Sequence, residues 1–163
     1  MNRQRVRAIV FWSTVVLSLL LMLLPLPQSV MAFKPYWPAL VLIYWALESN
    51  DVVSLGVAFA IGLGADVIDG ILLGEQALRL TVLVFIVLRF RARLRFFPMW
   101  QQALAVLALL ANDRIIDLIL RSFAGYPLPP LSFAAAPLVG AVVWPFLFLL
   151  LDDVRARLRA HEA

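Results

Sequence analysis

VRAIVFWSTVVLSLLLMLL, Val6 to Leu24, decides the fold class: a nineteen-residue apolar run marked at its start by Arg3, Arg5 and Arg7 and stopped by Pro25 and Pro27. Proline cannot continue a helix, and a run of this length matches the hydrocarbon thickness of a bilayer. The first segment therefore reads as a membrane span with its amino end in the cytoplasm. The rest of the chain has the same character. Of its 163 residues 64% are hydrophobic and 15% charged, and the mean hydropathy is +0.95. That balance excludes a water-soluble domain. Cysteine is absent and the single histidine is His161, which removes disulfide frameworks, thiolate chemistry and histidine-based metal or nucleophile sites.

Five further apolar runs follow: Phe33 to Leu47, Val52 to Leu73, Gln76 to Phe90, Pro98 to Leu120 and Phe133 to Leu151. The second is short for a crossing and opens with Pro35, Tyr36, Trp37 and Pro38, as an interfacial aromatic belt would. Between the fourth and fifth, RFRARLR (Arg89 to Arg95) alternates arginine with apolar or small residues and reads as a cytoplasmic turn. Residues 1–163 form a single membrane domain: an all-α bundle of six transmembrane helices. Ten of the fourteen basic residues then fall at cytoplasmic edges: Arg3, Arg5, Arg7, Arg89, Arg91, Arg93, Arg95, Arg155, Arg157 and Arg159. The positive-inside rule thus places both termini in the cytoplasm. Two alternatives stand beside six spans. Spans two and three could form a re-entrant hairpin, which parity does not exclude, and Val30, Met31, Ala32 could end a cleaved signal peptide. Retention of the first segment agrees better with the charges at both ends.

Ionisable groups inside spans need a partner or a purpose. Asp66 and Asp69 are three apart, Asp113 and Asp117 are four apart with Arg114 between them, and Arg79 opens the fourth span; each aspartate pair shares a helix face. One reading is that the aspartates pair with Arg79 and Arg114. The other is a polar pocket, lined by Asp66, Asp69, Arg79, Asp113, Arg114 and Asp117, holding a headgroup or small ligand. Catalytic patterns fail on spacing. Asp66, Asp69 and Gly70 begin like the motif of CDP-alcohol phosphotransferases, but Leu73 and Gly74 stand where it has Ala and Arg, and Asp113 and Asp117 lie in another span. The Gly62–Asp66 segment has one residue too many for an intramembrane aspartyl protease, which turns the carboxylate about 100° around the helix. No catalytic residue, cofactor or metal site is expected. Gly56, Ala60 and Gly64 recur every four residues, as do Ala58 and Gly62, giving faces that admit a close helix. Such a face serves either internal packing or a partner's helix. Trp12, Trp37, Trp45, Trp100 and Trp144 read mostly as interface anchors, and Arg89, Arg91, Arg93 and Arg95 as an anionic-lipid contact.

The order of features resembles one family. A basic start, a span ending in PLP at Pro25 to Pro27, KPYWPALVLIYWAL at Lys34 to Leu47, GLGADVIDGILLG at Gly62 to Gly74, MWQQALAVLALL at Met99 to Leu110 and VVWPFLFLL at Val142 to Leu150 together resemble the family of the rod shape-determining protein MreD. The turn Glu48 to Asp51 departs from its pattern. The resemblance implies a non-enzymatic subunit of the bacterial inner membrane. Its implied partner is the bitopic periplasmic protein MreC, and through it the elongation complex of MreB, RodZ, RodA and a penicillin-binding protein that builds lateral peptidoglycan. No nucleic-acid partner is implied. The family is similar in fold to the substrate-binding S components of energy-coupling-factor vitamin transporters, which supplies the alternative function. The mechanism expected for the family role is docking of a partner's single transmembrane helix on the Gly56, Ala60, Gly64 face.

Overall fold

The computed structural model describes residues 2–70 and 72–161; Ile71, inside the third expected span, lies outside them. Among the described residues there are seven α-helices, one 3-10 turn and no strand. The helices are α1 (Arg3–Met22), α2 (Gln28–Met31), α3 (Trp37–Glu48), α4 (Leu55–Asp69), α5 (Glu75–Leu94), α6 (Met99–Phe123) and α7 (Ala135–His161), the last entered through the 3-10 turn Leu131–Ala134. All but the one-turn α2 correspond to the six expected spans. Two helical stretches, Arg3–Met22 and Leu131–His161, are long and apolar enough in themselves to cross a membrane. Helices α5 and α6 have the length, 20 and 25 residues, but carry charge, at one end in α5 and in the network described below.

The six longer helices run alternately between two ends of the bundle. At one end Arg7 at the start of α1 meets Asp51 at 3.0 Å, Arg155 near the end of α7 meets Glu48 at the end of α3 at 2.9 Å, and Arg91 near the end of α5 donates to the Ala46 and Leu47 carbonyls, both at 3.0 Å. At the opposite end the Lys34 ammonium donates to the Met22 carbonyl, the Tyr36 hydroxyl donates to Gln76 at the start of α5, and Arg114 of α6 lies over Phe133 before α7. The beginning of α1 and the end of α7 therefore share one end.

Helix α3 is the central post. Every residue from Pro38 to Leu47 is buried, and α1, α5, α6 and α7 all pack on it. Its twelve residues rise only about 18 Å, less than the roughly 30 Å hydrocarbon core. Because the longer helices sheathe it, its length need not match the bilayer. A helix apolar all round is one buried on all sides, and this corrects the reading of Trp45 as an interface anchor; Tyr36 and Trp37, at the outer edge of the segment, are half-buried. Trp45 is buried, packed edge-to-face on Phe11 and Tyr44, with its indole N–H donating to Thr14 at 3.0 Å. Trp144 is likewise buried and donates to Gln102 at 3.2 Å. Of the five tryptophans, Trp12 and Trp100 are the exposed ones.

Two segments expected as turn and tail are helical. Arg89 to Leu94 continue α5, because these residues contain no proline or glycine and arginine is a good helix former. Arg91 points inward to cap the free carbonyls of α3, while Arg89, Arg93 and Arg95 are exposed. The basic carboxyl-terminal segment continues α7 to His161, supported by Asp153 and Arg157 four apart at 2.9 Å.

Candidate functional site

At the end of the bundle away from the termini, the polar residues of α4, α5 and α6 meet. Helix α4 ends at Gly70, whose φ of 66° takes the left-handed conformation that closes a helix without a Cβ penalty. The chain turns and re-enters α5 after Gly74. This reversal brings the Asp66 carboxylate onto the first turn of α5, where it accepts from the backbone amides of Gly74 at 2.8 Å, Gln76 at 2.9 Å and Ala77 at 3.4 Å. These are amides that a helix start leaves without partners, and the helix dipole favours a negative charge there. Asp66 is thus a tertiary cap. Asp69 accepts from the Gln76 side chain at 2.5 Å, and Gln76 in turn accepts from the Tyr36 hydroxyl at 2.8 Å.

One turn further along α5, Arg79 faces α6. Its guanidinium grips Asp113 with two bonds, Nε to Oδ1 at 3.1 Å and Nη2 to Oδ2 at 2.6 Å. It also lies 3.4 Å from Asp117 and 3.6 Å from Glu75, and it stacks over the Tyr36 ring at 5.0 Å. Planar bidentate pairing of this kind is the strong form of an ion pair and suits arginine specifically. Asp117 is also approached by Arg121 at 3.0 Å and Arg114 at 3.6 Å, and both arginines lie over Phe133. Three carboxylates, Glu75, Asp113 and Asp117, thus face three guanidinium groups.

The six residues singled out from sequence are therefore joined through a connected network. Asp66 and Asp69 connect to Arg79 through Gln76 and Tyr36, and Arg79, Arg114, Asp113 and Asp117 pair directly. The recess beside Tyr36, Asp113 and Arg114 leaves no room for a water. The arrangement can hold four segments together. The carboxylates of α6 are committed to guanidinium groups, and no group of three or more metal-ligating side chains is assembled among the described residues. Sequence reasoning missed Glu75, Gln76, Tyr36 and Arg121. The spacings of four from Glu75 to Arg79 and from Asp117 to Arg121 are signals that could have found two of them; Tyr36 and Gln76 carry no local signal.

The two small-residue faces of α4 have separate fates. Gly62 lies against the first turn of α5 so closely that a Cβ would sit 2.6 Å from the Ala77 amide nitrogen and 2.8 Å from the Gln76 carbonyl carbon. Ala58 beside it is buried. On the other face Gly56 and Ala60 are exposed and Gly64 half-buried. A Cβ at Gly64 would meet nothing within 4 Å, and one at Gly56 only the Ser54 hydroxyl at 3.9 Å. Phe59 and Val67 add exposed apolar area to the outside of the same helix.

Comparison with known proteins agrees in extent with this whole-chain architecture. No solved structure matches the chain. The family model described as rod shape-determining protein MreD matches residues 2–154. The rod shape-determining protein MreD of Haemophilus influenzae is 31% identical over 163 aligned residues, covering 95% of this chain and 98% of that protein. With similarity running through every helix from α1 to most of α7, the chain belongs to the MreD family of rod shape-determining membrane proteins.

Proposed function

We propose that the protein is a non-enzymatic, multi-pass subunit of the bacterial inner membrane that seats the single transmembrane helix of an MreC-like bitopic partner on the Gly56, Ala60, Gly64 face of α4. By holding that helix it fixes the partner's periplasmic portion relative to the elongation complex (MreB, RodZ, RodA and a penicillin-binding protein) and so supports lateral peptidoglycan synthesis and cell shape. The observation that carries the reading is the division of labour on α4. Internal packing uses Gly62, and the second small-residue stripe is left open on the outside of the bundle. In lipid, helices associate through close van der Waals approach, which small residues at a spacing of four permit.

The same reading has six crossings with both termini cytoplasmic. Its support is that α1 begins and α7 ends at one end of the bundle, where ten of the fourteen basic residues also lie. Arg89, Arg93 and Arg95, exposed at that end, contact anionic headgroups in this arrangement. The transporter-component alternative gains no comparable support, since Arg79, Asp113, Asp117 and Arg114 pair with one another.

The test replaces Gly56, Ala60 and Gly64 together by leucine and measures co-purification with the tagged partner from solubilised membranes. Loss of the partner at normal expression and unchanged helical content is expected. Undiminished recovery of the partner with the triple variant would sink the proposal.

A further inference from the structure

A cavity of about 430 Å³ lies at the opposite end of the molecule from the buried charge network. It opens between the first two turns of α1 and the last turns of α7, two helices that both pack on α3 without packing extensively on each other. Four arginines surround it: Arg3 and Arg7 from α1, Arg155 and Arg159 from α7. Val6 and Leu158 line it between the arginines of each helix, Val10 lies one turn further in on α1, and the buried ring of Trp45 closes it on the α3 side.

We infer that this cavity is a binding site for one anionic phospholipid, its phosphate held by the arginine rim and the start of its acyl chain lying against the apolar wall. The charge fits. Arg7 is held by Asp51 at 3.0 Å, and Arg155 by Glu48 at 2.9 Å and Asp152 at 3.0 Å. Those three carboxylates orient two of the arginines and leave the four with a positive surplus. Arg3 makes no ion pair among the described residues, so its donors remain for a ligand. Guanidinium groups prefer phosphate oxygens, which they bind in a planar fork.

The shape argues for a lipid over a free anion or an acidic peptide. From Arg3 to Val10 the α1 wall descends about 10 Å, from charge at the rim to hydrocarbon at the floor. The two helices also present exposed apolar side chains over these turns, Ile9 and Trp12 on α1 and Leu150 and Val154 on α7. The cavity therefore sits where headgroups give way to acyl chains. Basic pockets between transmembrane helices at this level are sites for anionic headgroups. The site is separate from the exposed arginines at the end of α5, none of which lines this cavity.

The test is native mass spectrometry of the full chain in detergent, delipidated and then titrated with phosphatidylglycerol, phosphatidylethanolamine or inorganic phosphate. One phosphatidylglycerol per chain is expected to survive at detergent concentrations that remove phosphatidylethanolamine. Arg3→Gln with Arg159→Gln should weaken its retention about 25-fold, at roughly fivefold for each arginine near an anionic headgroup. Leu158→Trp, which fills the cavity without changing charge, should also weaken it. Arg93→Gln with Arg95→Gln removes the same charge from the other basic surface and should leave retention unchanged. Equal loss in the two arginine pairs would show that only net charge matters and would overturn the site. Full displacement of the lipid by millimolar phosphate would overturn it in favour of a soluble anion, and unchanged retention in Leu158→Trp would overturn the cavity as its location.

Discussion

Two glycines two residues apart in α4, and so on opposite faces of the helix, should respond to alanine with opposite signs. At Gly62 the added methyl would lie 2.6 Å from the Ala77 amide nitrogen and 2.8 Å from the Gln76 carbonyl carbon. These are backbone atoms, so no side chain can swing aside. Restoring a carbon contact of about 3.5 Å requires α4 and α5 to part by about 1 Å. That displacement also stretches the Asp66 bonds to Gly74 and Gln76, now 2.8 and 2.9 Å. Overpacking costs about 1–3 kcal/mol and a weakened cap about 1 kcal/mol, against a gain of about 1 kcal/mol in helix propensity. The net is a loss of about 1–3 kcal/mol. At Gly64 the methyl meets nothing within 4 Å, so only the propensity remains, and Gly64→Ala should stabilise by up to about 1 kcal/mol. Unfolding of the purified chain from mild detergent into dodecyl sulfate, followed by circular dichroism, measures both. A neutral Gly62→Ala would refute the close approach of α4 to α5. A destabilised Gly64→Ala would refute the open face.

Two further outcomes follow from the charge network. Asp66→Ala leaves three amides at the start of α5 without their acceptor and should cost about 2–3 kcal/mol, with faster hydrogen exchange confined first to the Gly74–Ala77 amides; Asp66→Asn, which keeps one acceptor oxygen, should lose about half as much. Arg79→Met leaves Asp113 buried and unpaired and should cost about 3–5 kcal/mol, while Arg79→Met with Asp113→Leu should recover part of that loss in the same unfolding titration. A double variant no more stable than the single would show that the two side chains are not coupled.

The six longer helices were legible because apolar runs bounded by proline, glycine and charge are what a helix in lipid requires; Arg7, Arg91 and Arg155 share one end of the bundle. What composition could not distinguish was hydrocarbon contact from contact with another helix. Trp45 and Tyr44 look alike in either setting, and only the packing of α1 and α7 around α3 shows them to be core. Alternating arginine in Arg89 to Arg95 was equally ambiguous: the pattern suits a turn or a helix, and α5 runs on through Leu94 before the turn that leads to Pro98. In the polar site, the shared faces of Asp66 with Asp69 and of Asp113 with Asp117 came from spacing alone. Their partners did not, because Tyr36 and Gln76 are forty residues apart and Arg79 and Asp113 thirty-four. Pairing across such separations is decided by how the helices pack.

That packing bears on how α4 could serve a partner. Its inner face is fixed at Gly62 by direct contact with α5 and at Asp66 by three amide bonds. Through Gln76 and Tyr36 the same turn is tied to the ring beneath Arg79, and through Arg79 to α6. A helix seated on Gly56, Ala60 and Gly64 therefore meets a surface whose backing is already ordered on three other segments. Association loses affinity to whatever must be ordered on binding, and small residues have almost no side-chain freedom to lose. In the proposed docking, the buried ion pairs would act through rigidity, without touching the partner. A variant such as Asp66→Asn should accordingly weaken partner retention even though its side chain faces away from the open stripe, and the deficit should track the loss of protection in the first turn of α5. If retention held while that turn loosened, the rigidity of α4 would have no part in docking, and the small residues alone would have to account for it.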